Sequence, residues 1–576
     1  MNIPAHLQPY VAKQQYQRYT PVNQAVWRYV MRQNRHFFQH TAHQAYVSGL
    51  QKTGIDIEQI PSVEKMNACL KPFGWGAVPI NGLIPGVAFF DFQARGLLPI
   101  ATEIRTLEHI QYTPAPDIIH ESAGHAPILS DEKYADYVKR FGRIGAKALA
   151  NREEHEVFEA TRHLTIVMED PHSTPDMIAD AEQALQEKIA AATEVSEATQ
   201  IGRLYWWTVE YGLIGDLKNP KIYGAGLLSS IGEGQSCLSP EVTKLPFSLE
   251  ACIQTDYDVT KPQPQLFVCR DFDELSEAVE RFADRMAFRV GGTASLQKAV
   301  RSAHLATAEF NSGLQVSGVF TELIYDEQGE AIYLRTAGPT ALSFEGRTLP
   351  GHGKATHCDG FGAPIGHVRD LPCPLEEMTS DRWADDGWSL GTELELHYTS
   401  GIKLKGILKD AVFRNGRLIL LSFEQCSVMR GDHLLFHPDW GTYDLAIGSR
   451  ITSVYAGAAD PETYFADEVS AAIEVEDDPA PALSTLDHLY QAVREVREGQ
   501  RDIHSLNNIM EMLDHHYPED WLLRLEILEI VSEHQIKPWV TRLRGQLDAL
   551  REANPALDSL IQNGITLIDC PVLSKR

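Results

Sequence analysis

Near residue 315 the rhythm of apolar residues changes, and that change limits the fold more than any other feature of the chain. Up to about residue 310, stretches such as TPVNQAVWRYVMRQNRHFFQHTAHQAYVSGL, DEKYADYVKRFGRIGAKALA and SLQKAVRSAHLATAEFNSG carry apolar residues three and four apart, the period of an amphipathic helix. From about 315, GVFTELIYD, AIYLRTA, LELHYTS, IKLKGILKD and RLILLSF alternate instead, with turn signals such as RNGR between them. Residues 457–484 are acidic and rich in Ala and Pro, which suits a linker. Beyond Ser484 helical period returns in TLDHLYQAVREVREG, SLNNIMEMLDHHY, DWLLRLEILEIVSEH and WVTRLRGQLDALREA, with Pro518 and Pro538 as breakers. The expected layout is therefore multidomain. A mostly α domain over 1–312 precedes a β-rich module over 313–456, an acidic linker over 457–484 and a region of helical hairpins over 485–576.

Charge narrows the partners. A formal net charge of −28 repels nucleic acid and anionic membranes before any specific contact can form, so a small molecule or a protein is expected. No run of about 18 apolar residues occurs, and MNIPAHLQPYVAKQQYQRY lacks the apolar core of an export signal. No membrane contact and a cytoplasmic location are the expectations. The eight cysteines form no C-x-x-C pair and read as reduced thiols packed as small core residues.

The chemistry begins in PDIIHESAGHAPIL. His120 and His125 resemble the H-E-x-x-H pair of zinc proteases but stand five positions apart instead of four, roughly 140° around an ideal α-helix. They can meet one ion only if the backbone is irregular, which Pro116 and Gly124 make plausible. A third ligand must come from elsewhere. In RLYWWTVEYGLIGD, Glu210 sits among aromatic and apolar residues, where burying a carboxylate calls for a cation. Two imidazoles and one carboxylate on one face of an ion leave the other positions open, the arrangement associated with non-heme Fe(II) oxygenases.

RTLEHIQYTPAPDIIHESAGHAPIL, LYWWTVEYGL and IYGAGLLSSIGEGQSCLS closely resemble, in the same order, the signature blocks of the pterin-dependent aromatic amino acid hydroxylases. Weaker likeness in IEQIPSVEKMNACLKPFGWGAVPINGLIP and FDELSEAVERFADRMAFRV extends it over roughly residues 20–310. The resemblance implies the catalytic-domain fold of that family and a catalytic Fe(II) held by His120, His125 and Glu210, with Tyr205 close to it. It implies a tetrahydropterin held by Gly82, Leu83, Ile84 and Phe89 and touched through water by Glu121. O₂ is the implied co-substrate. Arg105 matches the arginine that grips the substrate carboxylate, a task suited to a fork of donors that cannot lose its proton. Thr113, Trp206, Gly226 and Ser229 fall at other substrate positions. Asp117 matches a carboxylate that would accept the ring N–H of His120 and fix its tautomer. Val259 falls where an apolar residue accompanies phenylalanine specificity, so hydroxylation of L-phenylalanine to L-tyrosine is favoured. Tyrosine and tryptophan are the alternatives.

All these positions precede the change of rhythm, so the first 312 residues are expected to hold the chemistry by themselves. The role of the remainder stays open, including an interaction scaffold whose main work lies there. Its helices are the expected surface for self-association or a protein partner. GHGKATHCDGFGAPIGH brings His352, His357, Cys358 and His367 together, but their spacing fits no ligand pattern, and the stretch reads as a glycine-rich loop.

Overall fold

The computed structural model describes residues 3–570, apart from 83, 112–115, 170–172, 260, 372, 386–387 and 467–480. Helix Pro21–Thr41 opens the first domain with a capping box, in which the Thr20 hydroxyl and the Asn23 side chain each satisfy the other's backbone N–H. Parallel strands Gly76–Ile80 and Leu97–Ala101 flank helix Gly86–Ala94. Helices Glu132–Gly145, Glu197–Tyr205 and Phe272–Ala283 pack around them, each started by a side-chain cap, from Asp131, Ser196 and Asp271 respectively. A small four-stranded sheet runs in the order Asn219–Ile222, Leu213–Asp216, Gln265–Cys269, Thr243–Pro246. The core is strongly aromatic, with Trp27, Tyr46, Tyr134, Tyr137, Phe141, Trp207 and Tyr223 all buried.

The β-rich module holds two antiparallel sheets. Ala331–Phe344 and Leu314–Tyr325 form the long hairpin of the first; Leu305–Phe310 and Ile451–Ala456 extend it on one side, and Arg347–Thr348 and Gly360–Pro364 pair with Ala331–Phe344. In the second, Ile402–Arg414 and Arg417–Arg430 meet at Arg414↔Arg417, and Tyr443–Ala446 adds to the far side. The two residues between, Asn415 and Gly416, have φ of 49° and 77°, the positive pair that a type I′ turn demands and that RNGR signals. Strand Leu305–Phe310 lies ahead of the boundary expected at residue 312. It follows helix Gly292–Ser302 directly, through the left-handed Ala303, leaving no linker for composition to mark.

Among the described residues after 484 come five α-helices: Thr485–Arg497, Leu506–His516, Leu522–Glu533, Lys537–Ala553 and Asp558–Asp569. They share one continuous apolar core with the first domain. Tyr29 meets Trp521 edge to face at 5.2 Å and donates its hydroxyl to the Leu560 carbonyl at 2.7 Å. Beside this contact Arg28 lies between Glu58, Glu526 and Glu529, and Arg32 and Arg497 join the same group. Among the described residues no helix is long and apolar enough to cross a membrane.

Candidate metal centre

Two short π-helical segments build the site. His120–His125 is one, closed by the Ala126 N–H on the Glu121 carbonyl, five residues back. Trp206–Glu210 is the other, closed by the Tyr211 N–H on the Trp206 carbonyl at 2.8 Å. In a π-turn, residues five apart come to stand one above the other as residues four apart do in an α-helix. That resolves the odd spacing of the histidines. Close packing holds the two segments against the short helix Ala225–Leu228: a Cβ on Gly124 would lie 2.5 Å from the Ala225 carbonyl oxygen.

The donors converge. His120 Nε2 lies 3.3 Å from one Glu210 oxygen and His125 Nε2 lies 3.1 Å from the other. His125 Nε2 is nevertheless buried without a hydrogen bond, because its approach to Glu210 is close but out of line. His120 Nδ1 stands 3.1 Å from Ser229 Oγ, whose own proton goes to the Gly226 carbonyl. A hydroxyl has one proton to give, so Ser229 accepts from Nδ1–H, and this assignment leaves the Nε2 lone pair of His120 facing the carboxylate. Two lone pairs and an anion around one point require a cation. A proton is the minimal answer: burial by itself lowers the His120 pKa, but Glu210 outweighs it and raises it to about 9. Burial likewise favours a neutral Glu210, yet the two histidines hold its carboxyl well below the usual range. A divalent metal ion satisfies all three donors together, so the residues present fit one.

Glu121 is a second carboxylate here; its Oε2 lies 3.9 Å from His125 Nε2 and is buried with no hydrogen-bond partner. His120, Glu121 and His125 bring ligand atoms within 4.8 Å of one another. Glu210 lies closer to both rings, and burial pushes the Glu121 pKa up, so Glu210 is the better ligand and Glu121 the better proton holder.

Asp117 does not meet the His120 ring as the sequence suggested. Its two oxygens take the Arg105 guanidinium at 2.8 Å and 2.8 Å and the backbone N–H groups of Arg105 and His120, each at 3.0 Å. These four donors fill the carboxylate, and Ser229 takes the ring. Arg105, buried with Asp117, gives a further bond to the Ser229 carbonyl at 3.3 Å. Three of its five N–H groups are then used and two remain.

Phe89 meets Tyr205 edge to face at 5.7 Å, and Phe90 and Phe141 complete the cluster. The Tyr205 hydroxyl accepts from Gln93 at 2.6 Å. Gly82 has φ of 57°, which a side chain would strain, and Ile84 is buried. Trp206 lies stacked between Tyr211 at 4.5 Å and Tyr257 at 4.2 Å, so both of its faces are covered and only an edge is left for a pocket. Val259, on the same segment as Tyr257, is 46 % exposed. Leu83 and Thr113 fall outside the described residues. A cleft of about 560 Å³ lies elsewhere, lined by Thr293, Glu330, His367 and Arg450, and contains none of these residues.

The sequence profile of the biopterin-dependent aromatic amino acid hydroxylases matches residues 10–167 and 174–291. The chain is 29 % identical over 265 residues to the phenylalanine-4-hydroxylase of Mesorhizobium japonicum, covering 46 % of this chain and 80 % of that protein. It is 28 % identical over 276 residues to that of Pseudomonas aeruginosa, covering 47 % and 88 %. Among solved structures it is similar to the Fe(III)-bound phenylalanine hydroxylase of Chromobacterium violaceum, at 25 % identity and a TM-score of 0.38, covering 47 % of this chain and 84 % of that one.

Proposed function

Because residues 10–167 and 174–291 match the biopterin-dependent aromatic amino acid hydroxylases, we propose that this chain is an iron- and tetrahydropterin-dependent monooxygenase that hydroxylates the ring of free L-phenylalanine, giving L-tyrosine. The observation that carries the reading is the convergence of His120 Nε2 and His125 Nε2 on the Glu210 carboxylate. These three side chains would hold the iron. The phenylalanine-4-hydroxylases of similar sequence support the choice of substrate.

Iron and reduced pterin together supply the activation of O₂. The protein supplies position. Ser229 keeps the proton on Nδ1 of His120 and so keeps Nε2 free for metal. Arg105, held in place by Asp117, would offer its two remaining N–H groups as a paired grip on the substrate carboxylate. Phe89, at the edge of the aromatic cluster, would provide a face for the pterin ring beside Gly82, Leu83 and Ile84. Glu121, whose proton burial holds more tightly than usual, would donate to that ring through water. Gly226 and Trp206 would border the substrate, with Thr113 and Val259 assigned to the same pocket by resemblance.

In this reading the chemistry belongs to the first domain, and the β-rich module and later helices support it. Self-association or a protein partner would use the outer faces of those helices, since their inner faces pack on Pro21–Thr41. The test is turnover of phenylalanine, tyrosine and tryptophan with Fe(II) and tetrahydropterin, with products identified. Tyrosine from phenylalanine is expected, and Glu210→Gln or His125→Ala should abolish it. Undiminished turnover in either variant would remove the ligand assignment.

A further inference from the structure

The glycine-rich loop of the β-rich module acquires a partner in space that its spacing could not reveal. The His352 carbonyl accepts from the Leu342 N–H at 2.9 Å and the His357 carbonyl accepts from the Thr340 N–H at 3.0 Å, so strand Ala331–Phe344 fixes the backbone of both. Their rings lie nearly parallel, 5.9 Å apart and 16° from coplanar orientation. Asp444, on strand Tyr443–Ala446 of the other sheet, reaches between them. Its Oδ1 accepts from Ser422 Oγ at 2.5 Å, while its Oδ2 lies 3.5 Å from His352 Nδ1 and 3.5 Å from His357 Nε2. Cys358 and His367, the cysteine and the remaining histidine of the stretch, are exposed and take no part.

Hydrogen bonding does not account for this arrangement. A charged imidazole bonded to a carboxylate sits at about 2.7–2.9 Å, and both ring nitrogens are buried without a hydrogen-bond partner. Two donors each 2.0–2.2 Å from a tetrahedral ion stand about 3.3–3.5 Å apart, which is the spacing found on both sides of Asp444 Oδ2. All three ligand atoms lie within 4.8 Å of one another. Ser422 supplies the outer bond that orients a ligating carboxylate. Apolar neighbours close the site: Phe361 stands edge-on to His357 at 5.4 Å, and Leu420 and Ala446 are buried nearby in the core shared by the two sheets. We propose that His352, His357 and Asp444 bind a second divalent transition-metal ion, zinc by its donor set, which ties the two sheets of the β-rich module together and keeps one coordination position for water. This site is separate from the catalytic iron and does not depend on the hydroxylase reading.

The experiment is metal stoichiometry on the full chain, stripped by chelator and titrated with Zn(II) alone, then with Co(II) as a spectroscopic probe. The parent is expected to take two equivalents. His125→Ala should take one, with the visible bands of four-coordinate cobalt, and those bands should vanish in His125→Ala/His357→Ala. Asp444→Asn keeps the shape of the side chain, so it guards against misfolding, with circular dichroism of the stripped protein as the check. It too should lose one equivalent. Absence of metal uptake and of four-coordinate cobalt bands in His125→Ala, or an equivalent retained at parental affinity in both His125→Ala/His357→Ala and Asp444→Asn combined with His125→Ala, would overturn the proposal.

Discussion

Ser229 shows how a functional contact hides from a linear reading. Asp117, the carboxylate that the sequence assigns to the His120 ring, stands three residues from it along the chain, whereas the hydroxyl that meets the ring lies 109 residues away. Residue type and spacing made the histidines legible, and the five-residue interval was itself the sign of a π-turn that an α-helical template cannot express. The geometry of Ser229 predicts that Ser229→Ala weakens iron binding about 10- to 100-fold, as loss of such outer partners does elsewhere. Competition with a chelator of known affinity measures it. Arg105→Lys tests a different contact. A point charge cannot serve Asp117 and a substrate carboxylate at once, so the KM for phenylalanine should rise about 10- to 100-fold, the worth of one charge-assisted hydrogen bond of about 1.5–3 kcal/mol. Iron content should stay at the parental value, and its loss would mean that the arginine acts through Asp117 on the metal segment.

Helix Pro21–Thr41 carries a second lesson. Its Arg28 is buried and its Arg32 half-buried, and nothing near them in the sequence foretells it, because the carboxylates that pair with them arrive with helix Leu522–Glu533. Burial favours a neutral Glu526, but Arg28 and Arg497 outweigh it and hold its pKa at about 2. A carboxyl depressed in the folded state stabilises above its unfolded value, here the ordinary 4.5, and that stabilisation is lost as pH falls through about 2. Hydrogen exchange in Leu522–Glu533 is therefore expected to quicken between those limits. Glu526→Gln should flatten the dependence while costing about 3–5 kcal/mol at neutral pH, because it leaves buried guanidinium groups short of charge. An unchanged acid profile in the variant would assign the lability to another carboxylate.

At the scale of the whole molecule, the change of rhythm near 315 falls close to the start of a long run of strands that begins at Leu305, and RNGR marks the turn of one hairpin. What local pattern could not convey is attachment. Strand Leu305–Phe310 belongs to the module's sheet, and the helices after residue 484 complete a core begun at residue 25. A fragment ending at 312 would keep that strand without Leu314–Tyr325 and Ile451–Ala456 on its two sides, and would uncover Tyr29. It is expected to melt well below the full chain and to bind an apolar dye, while retaining His120, His125 and Glu210. A fragment as stable as its parent would make the later helices passengers. Their contact with the first helix also sets a schedule for synthesis. Arg28 and Glu526 are 498 residues apart, so at about 5–20 residues per second the ribosome delivers the arginine about 25–100 s before its acid. For that interval the nascent chain holds an unfinished surface, and translation that stops early never closes it.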